Sequence, residues 1–264
     1  MFKICFVGAG STIFAKNVLG DCILTPELGE FEISLYDIDP IRLEDSRLML
    51  ENINKKYNGK AKIKSSLNRK EALKDALFVV NAIQVGGYEP CTVTDFEIPK
   101  KYKLRQTIAD TLGVGGIFRT LRTIPVLEEI CNDMKEVCKE ALFINYVNPM
   151  AMITGYMLKH TPIKTVGLCH SVQVCSLSLL RALDMEDKYE GVRDVIAGIN
   201  HMAWLLEIKD KDGNDLYPEI KSKIDAYMEK PDVTNKVRMD YIRNFGYYCT
   251  ESSEHNAEYN MFYI

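Results

Sequence analysis

A short apolar run, Phe2 to Val7, ends directly in Gly8-Ala9-Gly10-Ser11-Thr12, and Ile13, Phe14, Val18 and Leu19 follow at helical spacing. Strand, glycine turn and helix in that order gather the backbone N–H groups of a helix start, which can hold a pyrophosphate. The third glycine of G-x-G-x-x-G is absent, Ile13 standing in its place. A second strand, Phe31 to Tyr36, ends in Asp37, 27 positions after Gly10 (37 − 10). A carboxylate at that point accepts hydrogen bonds from the adenosine ribose hydroxyls and repels a 2′-phosphate, which favours NAD over NADP. The competing reading is a purely structural glycine turn. Asp39, just before Pro40, has the pattern of a helix cap.

The same alternation continues. A helix is expected at 40–57, a strand near 61–66, and a central strand from Leu77 to Ile83 that is apolar but for Asn81, with Gln84-Val85-Gly86-Gly87 in reach of a cofactor at its end. Ile117, Leu121, Ile124, Leu127, Ile130 and Met134 predict a long helix over 118–139, which Pro125 should kink or begin. Leu142 to Val147 is another buried strand, turned by Asn148-Pro149. The Asn148 amide either points into a cleft or closes a local Asx turn. Asp110, in the glycine-bearing stretch 105–117, is either a cap or an active-site carboxylate. Strands alternating with helices imply a parallel sheet with right-handed crossovers.

Ligands collect beyond the carboxyl ends of strands in such sheets. Ile163 to Leu168 runs into Cys169-His170, and Asp194 to Ala197 runs into Gly198-Ile199-Asn200-His201. Cys169 and His201, 32 positions apart (201 − 169), are therefore candidates to share a metal ion. A lone histidine more often satisfies a core or surface role, which is the reading of His160 and His255.

Beyond His201 the texture changes to an antiparallel strand, Met202 to Lys209, a turn at Asp212-Gly213-Asn214, and amphipathic helices over 218–246. The expected fold is α/β: a Rossmann-like, doubly wound, mostly parallel sheet over residues 1–190, then an incomplete α+β substrate and metal domain over 191–264. Eight cysteines, none in a C-x-x-C pair, and no signal-peptide pattern in the first residues point to free thiols in a cytoplasmic protein. A net charge of −4 and no lysine or arginine cluster give no case for nucleic acid or an anionic membrane. The apolar runs are too short to span one.

Taken in order, Gly-Ala-Gly-Ser-Thr, Tyr-Asp-Ile-Asp-Pro, Asn-Pro-Met, Cys-His-Ser-Val and Gly-Ile-Asn-His-Met-Ala resemble glycoside hydrolase family 4. Cys169-His170-Ser171-Val172, Thr92 to Phe96 and Glu251 to His255 resemble its α-galactosidase (melibiase) subgroup. That family stands outside the two-carboxylate scheme of most glycosidases.

The resemblance implies an NAD- and metal-dependent hydrolysis of small α-galactosides: oxidation at C3, elimination across C1–C2, water addition and re-reduction. It implies Gly8, Gly10, Ser11, Thr12, Asp37 and Gln84 for NAD, and Cys169 and His201 for a divalent metal, usually Mn²⁺. It further implies Asn148 and Asn200 for the sugar, Tyr259 as base, Asp110 as the carboxylate raising its basicity, and His170 as leaving-group acid. Family members are longer, with a helical C-terminal portion that supports oligomerisation. A C-terminally truncated chain, homo-oligomeric when full length, is the expectation. Rival readings are an NAD-dependent 2-hydroxy-acid dehydrogenase, with Arg105 or Arg119 pairing a carboxylate, and an inactive NAD-binding remnant.

Overall fold

The computed structural model describes residues 1–106, 108 and 113–263. They form two compact units, Met1–Thr94 with Ile117–Leu168, and Asp95–Gly116 with Cys169–Ile264.

The first unit holds strands β1 (Phe2–Val7), β2 (Phe31–Tyr36), β3 (Ala61–Ser66), β4 (Phe78–Asn81), β5 (Leu142–Asn145) and β6 (Thr165–Gly167). All pair in parallel, in the order β3-β2-β1-β4-β5-β6, the doubly wound order of dinucleotide-binding sheets. A parallel sheet is covered on both faces, so its central strands are apolar on both. In β1, Cys5 and Val7 enter one core with Val79, Leu127, Phe143 and Ile153, while Ile4 and Phe6 enter another with Leu19, Ile33, Leu35 and Leu50. The alternation follows from successive side chains pointing to opposite faces.

Helices α1 (Thr12–Ile23), α2 (Pro40–Lys56) and α3 (Arg69–Leu73) connect the first strands, and α6 (Met150–His160) links β5 to β6. Asp39 caps α2 as expected, its carboxylate accepting from the N–H groups of Ile41 and Arg42 at 2.9 and 3.1 Å. The chain passes between the units within α4 (Val93–Lys101) and α5 (Gly113–Val137). Pro125 lies inside α5 and does not begin it.

The second unit contains α7 (Ser171–Ala182), a three-stranded antiparallel sheet of β7 (Arg193–Ile199), β8 (Met202–Lys209) and β9 (Tyr248–Cys249) in that order, and helices α8 (Tyr217–Met228), α9 (Lys236–Phe245) and α10 (Ser253–Glu258). The segment before His201 is thus not a strand of the parallel sheet, as the sequence suggested. It is one arm of a hairpin in which Ile199 pairs with Met202. The unit's core joins Cys175, Leu179 and Leu180 of α7 to Leu205, Ile208, Ile220, Met239 and Tyr248. Among the described residues, no helix is long and apolar enough to cross a membrane, and the eight cysteines are free thiols.

Candidate active site

In the first unit the glycine turn grips the ends of two strands. Gly8 and Ala9 donate their N–H groups to the Tyr36 carbonyl at 2.9 and 3.0 Å. Gly8 has φ +91°, and a Cβ there would lie 2.7 Å from the carbonyl carbon of Ala82, so only glycine fits without displacing backbone. Gly10 N–H donates to Asp37 Oδ2 at 2.6 Å, and the second oxygen of Asp37 accepts from Asp39 N–H at 2.9 Å. The carboxylate that ends β2 is thereby fixed against the turn. Ser46 Oγ, from α2, donates to the Ala9 carbonyl at 2.6 Å and lies 3.2 Å from Thr12 Oγ1. Ser11 precedes α1 without capping it through its side chain, so the first-turn N–H groups keep the arrangement that binds anions. A turn with glycine at Gly8 and Gly10, a helix start and a strand-end acid fit a dinucleotide.

Gln84 is exposed beyond β4. Asn148 Oδ1 accepts from Met150 N–H at 3.2 Å, which is the local turn that the sequence left as the alternative for this residue. Behind it, fully buried Asn145 donates to the Val147 carbonyl at 3.1 Å and accepts from Asn81 Nδ2 at 3.0 Å.

In the second unit the structure brings Cys169 and His201 together, with a third residue, Glu251, that the sequence did not mark as a metal candidate. Cys169 Sγ, His201 Nε2 and a carboxylate oxygen of Glu251 all lie within 4.8 Å of one another. The thiol of Cys169 donates to Glu251 Oε1 at 3.4 Å, and that oxygen is 3.7 Å from His201 Nε2. Donors bound to one cation at roughly 2.0–2.3 Å must sit about 3–4 Å apart. The spacing and the S, N and O donor types therefore fit a divalent metal ion.

Strand register explains why Glu251 arrives there. β9 runs antiparallel to β8 with Tyr248 opposite Leu205 and Cys249 opposite Trp204. Thr250 extends the pairing, its N–H donating to the Ala203 carbonyl at 2.8 Å and its hydroxyl accepting from Ala203 N–H at 3.1 Å. The next residue must then lie beside the start of β8, where His201 turns the hairpin. His201 and Glu251 both have left-handed backbone, φ +62° and +67°, uncommon for residues with a side chain and costing on the order of 1 kcal/mol or more each.

Burial raises the Cys169 pKa most; hydrogen bonds from the Ser171 hydroxyl and N–H oppose it, and the Glu251 charge adds to the rise. His255 contributes beyond what the sequence suggested. Its ring packs edge-to-face on that of His201 with centroids 4.5 Å apart, and its Nδ1 lies 3.6 Å from Glu251 Oε2 and 2.9 Å from Ser252 Oγ. Tyr259 Oη donates to the Asn200 carbonyl at 2.8 Å. Among the described residues the side-chain N and O of Asn200 are buried with no hydrogen-bond partner, and His170, before α7, is exposed. Asp110 lies outside the described residues.

Residues 3–185 match the family 4 glycosyl hydrolase domain and 196–263 its C-terminal domain. The chain belongs to family 4 of the glycosyl hydrolases. It is 62% identical over 264 residues to an α-galactosidase of Bacillus subtilis (strain 168), covering 100% of this chain and 60% of that protein. It is 35% identical to an α-galactosidase of Rhizobium meliloti (strain 1021), covering 99% of this chain and 53% of the other. The chain thus spans less than two thirds of the length of these relatives. Its fold superimposes on a 6-phospho-α-glucosidase from gut microorganisms, solved with NAD and Mn²⁺, with a TM-score of 0.78 at 21% identity over 98% of this chain and 60% of that one.

Proposed function

We propose that the protein hydrolyses α-galactosides with the help of NAD and a divalent cation, Mn²⁺ being the first choice. The observation that carries this reading is the convergence of Cys169, His201 and Glu251 donors within 4.8 Å, in a chain whose relatives include two α-galactosidases. NAD would supply reversible hydride removal at sugar C3, and the cation Lewis acidity at the C2 and C3 oxygens.

The chain's own residues divide the remaining work. Gly8, Gly10, Ser11 and Thr12 hold the pyrophosphate, Asp37 the ribose hydroxyls, and Gln84 helps place the cofactor. Cys169 and His201 hold the cation. Asn148 and Asn200 take sugar hydroxyls, a role supported at Asn200 by its unpartnered buried amide. Tyr259 removes the C2 proton at its phenolic oxygen, Asp110 raises the basicity of that oxygen, and His170 protonates the departing group.

The test is hydrolysis of p-nitrophenyl α-galactoside with NAD, Mn²⁺ and a thiol reductant, each omitted in turn. Each omission should abolish turnover; the reductant matters because a metal-binding thiol oxidises. Turnover undiminished without NAD would end the reading. No turnover under any condition, with NAD still binding by calorimetry, would make the chain a dinucleotide-binding module without catalysis.

A further inference from the structure

We propose that Glu251 is a third protein ligand of the cation, so that the second unit binds a divalent ion before any sugar arrives. This rests on the reading of Cys169 and His201 as metal residues and adds to it, since two protein donors alone would leave most of the coordination shell to water and sugar.

The two oxygens of Glu251 have separate tasks. Oε1 faces Cys169 Sγ at 3.4 Å and His201 Nε2 at 3.7 Å, whereas Oε2 faces His255 Nδ1 at 3.6 Å. One oxygen is presented to the donor cluster and the other faces a histidine whose Nδ1 is itself fixed by Ser252 Oγ at 2.9 Å, so the imidazole stands behind the carboxylate as an outer neighbour of a ligand does. His255 also packs against the His201 ring and so steadies two of the three donors at once.

The backbone supports the same assignment. Glu251 and His201 are both left-handed, and such conformations persist only where the surroundings fix them. Here the β8–β9 ladder and Thr250 supply the fixing. Three donors within 4.8 Å of one another would occupy one side of a coordination shell and leave the other for substrate oxygens. A thiolate and a carboxylate together also neutralise a divalent charge. By the ordinary affinity order of divalent metals at N, O and S donors, Co²⁺ should bind more tightly than Mn²⁺.

The test is anaerobic titration of the metal-free 264-residue chain with Co²⁺, without sugar, reading affinity and the near-ultraviolet thiolate-to-cobalt absorption. Wild type should bind one ion and develop the band. Outer partners of metal ligands are typically worth about 10- to 100-fold in affinity and a direct ligand should be worth at least the top of that range, so Glu251→Gln should keep the band and bind more weakly by roughly 100-fold or more. Wild-type affinity in Glu251→Gln overturns the assignment, and so does failure of wild type to bind Co²⁺ without sugar. Should the Gln variant lose the wild-type circular dichroism, Glu251→Asp replaces it; withdrawing the carboxylate by one methylene should also weaken binding, and unchanged affinity there overturns the assignment equally. Cys169→Ser separates the two readings. If it binds Co²⁺ as wild type does, the Cys169–His201 site itself fails. If it loses the band while Glu251→Gln is unaffected, only the role of Glu251 fails.

Discussion

Tyr259 ties the end of α10 to the turn that carries His201: its phenol donates to the carbonyl of Asn200 at 2.8 Å. The group assigned to remove the C2 proton therefore also braces the residue next to a metal donor. Tyr259→Phe should lower stability by about 1 kcal/mol, the worth of one hydrogen bond. It should lower galactoside turnover by roughly 10²- to 10⁴-fold, the usual contribution of a positioned base. Raising Mn²⁺ separates the roles: a residue that merely positions the turn would recover activity at saturating metal, and a base would not.

Gly8 and Gly10 should fail differently. A methyl at Gly8 meets the Ala82 backbone at 2.7 Å and sits on a residue with φ +91°, so Gly8→Ala should cost about 2 kcal/mol or more in urea unfolding. A methyl at Gly10 meets Asp37 Oδ2 at 2.8 Å, a side-chain end that can swing away. Gly10→Ala should then cost about 1 kcal/mol through the displaced Asp37 hydrogen bond. Its larger effect should appear in calorimetry as weaker NAD binding, because the ribose-facing carboxylate has moved. Equal stability losses in the two variants would contradict this account.

Cys169 should be a slow nucleophile for a half-buried thiol. Thiolate is the reactive form, and burial holds the Cys169 pKa above its ordinary 9.0. Below that pKa the thiolate fraction rises about tenfold per pH unit, so alkylation by iodoacetamide should still be climbing at pH 9, where the urea-unfolded chain has begun to level off. Saturating Co²⁺ should suppress the reaction. Peptide mass spectrometry localises the label, and a rate that levels off near pH 7 would show the thiol to be activated instead.

What the sequence displayed and what it hid follow from the range of the interactions involved. The glycine turn, the Asp37 strand end and the Asp39 cap are local patterns, and the structure places them as read. The meeting of Cys169 with His201 is accessible through loop placement, although the run before His201 reads as a strand end of the parallel sheet and is one arm of an antiparallel hairpin. Glu251 opens a motif that resembles the α-galactosidase subgroup, but nothing local marks it as a metal donor. It reaches the cluster because a two-residue strand, Tyr248–Cys249, fixes its register against β8, and so short a strand leaves no periodicity to detect. His255 looked ordinary for the same reason: its partner Glu251 lies four residues back across a cap, and its other neighbour, His201, is distant in sequence.

The loop that delivers Glu251 hangs on Asn256, which is fully buried. Its Nδ2 donates to the carbonyls of Thr250 and Ser252 at 2.8 and 2.9 Å, on either side of Glu251, and its Oδ1 accepts from the Cys249 thiol at 2.9 Å. Tyr241 Oη holds its backbone carbonyl at 3.0 Å. Asn256→Ala removes the amide and leaves buried carbonyls unsatisfied, at a cost of roughly 2–4 kcal/mol. Asn256→Asp should do no better, because a carboxylate would face those two carbonyl oxygens with no donor to offer. Both variants should lower the urea midpoint, and whatever fraction remains folded should bind Co²⁺ more weakly than wild type, since the Glu251 carboxylate has lost its anchor on both sides. A stability within about 0.5 kcal/mol of wild type, the range of an ordinary surface change, would show that the loop is held by β9 alone.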